Sequence, residues 1–144
     1  MTDTLRLDQQ LCFRFYTVSR LITQAYGPLL AQLGITYPQY LVLLVLWDQD
    51  GLPVNDIAKR LYLETNTVTP LLKRMETEGL VERHRDKEDA RKVLVSLTAK
   101  GKDLKQEARC IPEQMSRSYS CDALSPEAIP GLIDSLDSLI DTLK

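Results

Sequence analysis

Residues 54–97 read VNDIAKRLYLETNTVTPLLKRMETEGLVERHRDKEDARKVLVSL, and a change of period inside this stretch decides the fold. Val54, Ile57, Ala58 and Leu61 recur at helical spacing, and so do Val68, Leu71, Leu72 and Met75 ahead of Gly79. Between the two sets lie Leu63, Glu64, Thr65 and Asn66, whose polar side chains cap a new helix start. Two short helices joined by about four residues make a helix-turn-helix. From Leu80 the period becomes two. Val81, Arg83 and Arg85 alternate with Glu82 and His84, then Val93, Val95 and Leu97 with Leu94 and Ser96. The charged turn of residues 86–91 between those strands reads as a wing. The fold class expected is mainly α with a small β wing: a winged helix-turn-helix with flanking helices.

Working upstream, residues 5–31 read as a helix with Leu11, Phe15, Val18 and Ile22 on one face, interrupted at Gly27-Pro28. Pro28 opens a fresh turn that ends at Gly34. Thr36 with Gln39 three residues on is a capping-box pattern, and residues 40–47 behind it are apolar nearly all round. A helix of that kind has to be buried, which places it at the centre of the fold. Downstream, Thr98 caps a helix running from Ala99 toward Tyr119, bent or broken at Pro112. Ser125-Pro126-Glu127 marks another start, with the regular helix beginning near Ile129 because of Pro130. Its stripe of Ile129, Leu132, Ile133, Leu136, Leu139, Ile140 and Leu143 calls for a partner surface.

The chain has 144 residues, 44% hydrophobic and 26% charged, with a net charge of -2, the balance of one compact domain. A chain of this size buries roughly 68 to 70% of its unfolded surface without a disulfide or a metal. Its longest apolar run is far short of the ~20 residues that span a bilayer, and its first residues lack a signal peptide's apolar stretch, so a cytoplasmic protein is expected. Cys12, Cys110 and Cys121 are too few and too scattered for a disulfide framework or a zinc site, and each is expected as a thiol. His84 lacks neighbouring ligands, and neither metal nor cofactor is expected.

The polar side of the second short helix carries Thr65, Asn66, Thr67, Thr69, Lys73 and Arg74, groups suited to phosphate oxygens and base edges. The wing adds Arg85, Lys87, Arg91 and Lys92. Residues 59–92 hold nine cations against seven acids, so this segment is +2 while the rest of the chain is -4. On the alternative reading these residues form an ordinary solvated face. Asp86 and Asp89 are placed to orient Arg91 toward a narrow minor groove. Pro70 would break a helix capped at Glu64, so a start capped at Asn66 is expected. Cys12 stands near the start of the first helix, with Tyr16, Ser19 and Thr23 following on a partly polar stripe. Helix N-termini and hydroxyl donors both favour a thiolate, the form that peroxides oxidise, although a buried structural cysteine is equally compatible with the position. Tyr26 lies on nearly the same helical face about 21 Å further along, so it reaches Cys12 only from a second, antiparallel subunit.

The segments DIAKRL (56–61), TVTPLLKRME (67–76), EGLV (78–81), DKEDAR (86–91) and LTAKG (97–101) resemble those of MarR-type winged-helix repressors. QLCF (10–13) with Tyr16, YGPLL (26–30) and ITYPQYL (35–41) resemble the organic-hydroperoxide-sensing branch called OhrR. The resemblance covers almost the whole chain. It implies a homodimer on a pseudo-palindromic double-stranded DNA operator, with half-sites ~34 to 36 Å apart. It also implies residues 5–50 and 99–144 as dimerisation helices around a reading head at residues 53–98, within a single domain over residues 1–144. Cys12 is then the peroxide sensor, hydrogen-bonded across the dimer by Tyr26 and Tyr37 with Tyr16 nearby. Oxidation by an organic hydroperoxide is followed by capping with a low-molecular-weight thiol or with a second cysteine. Cys121 fits the latter role by region, and Cys110 is the other candidate. Two rival readings stay open: a repressor of the same fold released by a small phenolic ligand, and a thiol peroxidase. The second leaves the winged helix without a purpose, so a non-enzyme is expected.

Overall fold

The computed structural model describes residues 4–144. A short 3-10 turn over Leu7–Gln9 precedes α1 (Leu11–Ala31), α2 (Tyr37–Asp48), β1 (Leu52–Pro53), α3 (Val54–Arg60) and α4 (Thr65–Thr77). Strands β2 (Val81–Arg85) and β3 (Val93–Leu97) follow, then α5 (Ala99–Ala108), α6 (Ile111–Ser118), a 3-10 turn over Asp122–Leu124, and α7 (Ile129–Leu143). The chain divides after Arg109 into two compact units.

In the first unit, α2 is the centre that its composition predicts. Thr36 accepts from the Gln39 N–H at 3.4 Å while Gln39 Oε1 accepts from the Thr36 N–H at 3.0 Å, a complete capping box. Behind it Tyr40, Val42, Leu43, Val45 and Leu46 are buried. The apolar faces of α3 and α4 also close inward, through Ile57 and Ala58 and through Val68, Leu72 and Met75. The turn between them passes through Tyr62 at φ 55, a left-handed position usually given to glycine. Gly79, at φ 76, turns the chain out of α4 into β2.

The wing strands pair antiparallel with Arg83 opposite Val95. A third strand was not legible in the sequence: β1 pairs with β3, Leu52 opposite Val95, giving the order β1-β3-β2. Two residues show no periodicity, and Pro53 argues against a strand except at an edge, which is where β1 lies. Asp50 fixes the approach by accepting from the N–H groups of Gly51 and Leu97, both at 2.9 Å.

Three local expectations are corrected. The first helix begins at Leu11 rather than Leu5 and runs unbroken through Gly27 and Pro28. Pro28 removes one hydrogen bond, while the Tyr26 ring contacts and buried Leu30 flank it, so packing outweighs the loss. Helix α4 starts at Thr65 with Glu64 as its N-cap, so Pro70 lies inside the helix and costs the bond to the Asn66 carbonyl. The helix expected from Ala99 toward Tyr119 is broken as expected, but after Ala108 rather than at Pro112, which sits in the first turn of the next helix, where its missing N–H costs nothing. In the second unit, α7 starts at Ile129 as expected, and none of its residues is buried.

Candidate functional site

Helix α4 and the wing present one surface. Asn66, Thr67, Lys73 and Arg74 are exposed on α4, and Lys87, Arg91 and Lys92 on the wing. Thr65 and Thr69 do structural work as well: Thr65 Oγ1 bonds Asn55 Oδ1 at 3.1 Å, tying α4 to α3, and Thr69 Oγ1 donates to the Thr65 carbonyl at 2.9 Å. A cleft of about 240 Å³ between these helices and the wing is lined by Asn55, Thr65, Thr69, Arg83, Arg91 and Lys92 among others.

The wing is braced from within. Arg85 donates to the Ala90 carbonyl at 2.8 Å, so its guanidinium holds the turn closed. Arg91 Nε meets Asp89 Oδ1 at 3.2 Å with the arginine side chain 92% exposed, the orientation expected of an outward-pointing wing arginine. Asp86 does not share that task. Its carboxylate accepts from the Glu88 N–H at 3.0 Å, because residue 88 rather than 91 lies within reach of a side chain bonding two residues on. The hydrogen bonds from the Arg91 side chain and backbone hold the Asp89 carboxyl below its ordinary value.

Sequence reasoning places Arg83 on the first wing strand, one of the nine cations of residues 59–92, and misses its partner. Its guanidinium meets Glu76 Oε1 at 3.0 Å, and its N–H donates to Glu76 Oε2 at 3.0 Å. One carboxylate at the end of α4 thereby sets the pitch of β2, and these bonds keep Glu76 ionised below the usual carboxylate range. His84, opposite Leu94 on β2, is exposed. Among the described residues no group of His, Cys, Asp and Glu could hold a metal ion.

The thiol and its proposed partners fall at two ends of α1. Cys12 is exposed as the second residue of the helix, and Tyr16, 66% exposed, follows one turn later on the same face. At the far end, about 21 Å along the axis, the Tyr26 ring lies 4.7 Å from that of Tyr37 and 5.7 Å from that of Tyr40. Burial raises the phenols of Tyr37 and Tyr40 above their ordinary value, Tyr37 adding a Coulombic push on Tyr40, so both remain protonated donors at neutral pH. The structure therefore unites Tyr26 with Tyr37 and leaves Cys12 and Tyr16 apart from them within one chain. Leu11, Phe15, Val18 and Leu21 leave α1 with an uncovered apolar face. In the second unit Cys110 and Cys121 are both exposed, Cys110 at the start of α6 and Cys121 ahead of the 3-10 turn.

Residues 24–108 match the family model of the transcriptional regulator SarA/Rot, which is of the MarR-like winged-helix type. The chain belongs to this family. Among the relatives, the organic hydroperoxide resistance transcriptional regulator of Bacillus subtilis is 45% identical over 141 residues, covering 98% of this chain and 94% of its own. Reduced AbfR bound to DNA, AbfR being a protein of Staphylococcus epidermidis, is 37% identical. It superposes with a TM-score of 0.78 over 99% of this chain and 96% of its own. The disulfide form of AbfR, 39% identical over 96% and 95% of the two chains, superposes less well, at 0.65. Like these relatives, this SarA/Rot-family chain is a regulator with a winged-helix fold. Among its described residues, no helix is long and apolar enough to cross a membrane.

Proposed function

We propose that the protein is a cytoplasmic, non-enzymatic DNA-binding repressor that releases its operator when an organic hydroperoxide oxidises Cys12. Two copies form a homodimer through residues 5–50 and 99–144 and carry the reading heads, residues 53–98, onto a pseudo-palindromic site. Thr65, Asn66, Thr67, Thr69, Lys73 and Arg74 meet the major groove, while Arg85, Lys87, Arg91 and Lys92 serve the wing contact. The observation that carries the sensor reading is the division of α1: an exposed thiol with Tyr16 at one end, and at the other Tyr26 with its ring packed at a tilt against that of Tyr37. A second copy running antiparallel along the bare apolar face of α1 brings the two halves together. The relative named for organic hydroperoxide resistance, and the capture of AbfR both reduced on DNA and as a disulfide, support the same chemistry here.

In that arrangement the Cys12 thiolate attacks the outer oxygen of the hydroperoxide. The O–O bond breaks, an alcohol leaves, and the sulfur, now oxidised, carries a hydroxyl as sulfenic acid. Condensation with a thiol expels water and leaves a disulfide, either with a small cellular thiol or with Cys121 or Cys110. The new bond displaces the N-terminal helix and the tyrosines and spoils the spacing of the two heads. A tenfold loss of affinity asks for only about 1.4 kcal/mol of differential strain.

Fluorescence anisotropy on DNA from upstream of the protein's own gene tests this reading, before and after about one equivalent of hydroperoxide per subunit, beside Cys12→Ser. Release by the wild type alone is expected. Release by the serine variant too would remove Cys12 as sensor. Tight binding unaffected by peroxide, with release by an aromatic acid, would turn the signal into a bound small molecule.

A further inference from the structure

Gln39 is the one polar residue among the described residues that is buried, at 1% exposure, and it does more than cap α2. Of its side chain, the capping box uses only Oε1. Its Nε2 donates at 2.9 Å to Glu78 Oε2, 39 residues away at the C-cap of α4. Tyr37, whose ring meets Tyr26, stands in the same first turn of α2 as Gln39. At the other end of the bond, Glu78 is where α4 hands the chain to the wing. Its N–H bonds the Arg74 carbonyl at 3.0 Å, and its own carbonyl accepts from Lys100 Nζ at 3.1 Å. Gly79 follows in the left-handed conformation, with its carbonyl taking the Thr98 hydroxyl at 2.6 Å.

Apolar contacts between helices tolerate sliding, whereas a charge-assisted hydrogen bond from a buried amide is directional and short-ranged. Movement of the first turn of α2 therefore has to be followed by Glu78 or break the bond, and breaking it strands a buried amide. We propose that the Gln39–Glu78 bond is the transmission link through which displacement of Tyr37 resets α4 against the wing, with both residues acting as positioning residues. The inference rests on the reading of Tyr37 as part of the thiol sensor.

The test compares wild type, Glu78→Ala and Glu78→Gln. Glu78→Ala deletes the acceptor and leaves the capping box of Gln39 intact, and Glu78→Gln restores an acceptor. Operator Kd is measured in the reduced and hydroperoxide-treated protein, alongside the rate of Cys12 thiol loss. With a wild-type oxidised-to-reduced ratio of about tenfold or more, Glu78→Ala is expected to fall below about threefold with thiol loss unchanged, while Glu78→Gln keeps most of the ratio. A bond that merely stabilises the fold would lower Tm and leave the ratio intact, and an intact ratio in Glu78→Ala overturns the proposal. A second measurement needs neither DNA nor peroxide: amide hydrogen exchange at residues 78–80 on introducing Tyr37→Ala into the reduced protein. Several-fold faster exchange in the wild-type background and no change in the Glu78→Ala background supports the link; equal change in both backgrounds overturns it. Should the wild type keep its DNA on oxidation while exchange still shows the coupling, the proposed function falls and the link stands.

Discussion

Helices α2 and α7 both carry rows of large aliphatic residues and come to opposite ends. In α2, Val42, Leu43 and Leu46 are at most 1% exposed, whereas in α7 nothing is buried and Ile133 is 51% exposed. Helix α2 is apolar nearly all round, while α7 confines its aliphatic residues to one stripe between Asp134, Asp137 and Asp141. Helix α2 finds apolar faces inside its own unit, in α3 and α4, and buries residues against them, while α7 buries none of its residues. The same contrast separates the polar groups. Gln39 and Arg83 close their bonds within the chain, while Arg91, Lys87 and Lys92 point outward. The protein closes its winged-helix unit internally and leaves the apolar stripe of α7 and the wing cations uncovered.

The largest effect is expected from breaking the open side. Ile133→Glu with Ile140→Glu puts charge on the uncovered stripe of α7 without disturbing a packed residue. Light scattering should show monomers, and operator affinity should fall by about 10² to 10⁴ because two linked half-sites become independent. A dimer of unchanged affinity would show that the stripe is not the assembly surface. Next comes the closed side. Leu43→Ala should cost about 2 to 5 kcal/mol in denaturant unfolding, since the cavity lies in the packed centre. Leu44→Ala, one residue on and 41% exposed, should cost under about 1 kcal/mol. Equal costs at the two positions would erase the contrast.

The closed side was the more legible in sequence, and the reason is locality. Val68, Leu72 and Met75 declare their burial by helical spacing, and Thr36 with Gln39 declares a cap across three residues. Non-local partners leave no such trace. Glu76 and Arg83 looked like members of a charge census, and Gln39 looked complete as a capping residue before Glu78 was seen beside it. Pro28 and Pro70 were misread for a related reason: a proline's local penalty is visible in the chain, but the packing that outweighs it is not. Family resemblance put Tyr26 and Tyr37 around one thiol, but their ring contact with each other was not legible, since no periodicity links the two. Cys12 shows the limit from the other direction. Its place near a helix start was legible, but whether its surroundings would be core or solvent was not.

Two ion pairs sharpen the comparison further. Glu76→Ala frees Arg83 and the pitch of β2, so operator affinity should fall about three- to thirtyfold as the wing loses its angle to α4, with fluorescence anisotropy as the check. The smallest effect belongs to Asp89, on the open side. Its Arg91 partner is almost wholly exposed, so solvent and salt screen the pair, and what the carboxylate contributes is direction more than stability. Asp89→Asn is expected to weaken operator binding by about two- to threefold, with Tm unmoved. Acid should do the same to the wild type. Because the folded-state value of Asp89 lies below the ordinary 3.8, its bond to Arg91 is fully present above that pH and is lost as pH falls through the lowered value. The Arg91 Nε–H resonance, followed by NMR from pH 7 downward, should hold steady to about pH 4 and move only beneath it. Movement already near pH 5 would mean that Asp89 does not hold Arg91 in solution, and the wing arginine would then be oriented by DNA alone.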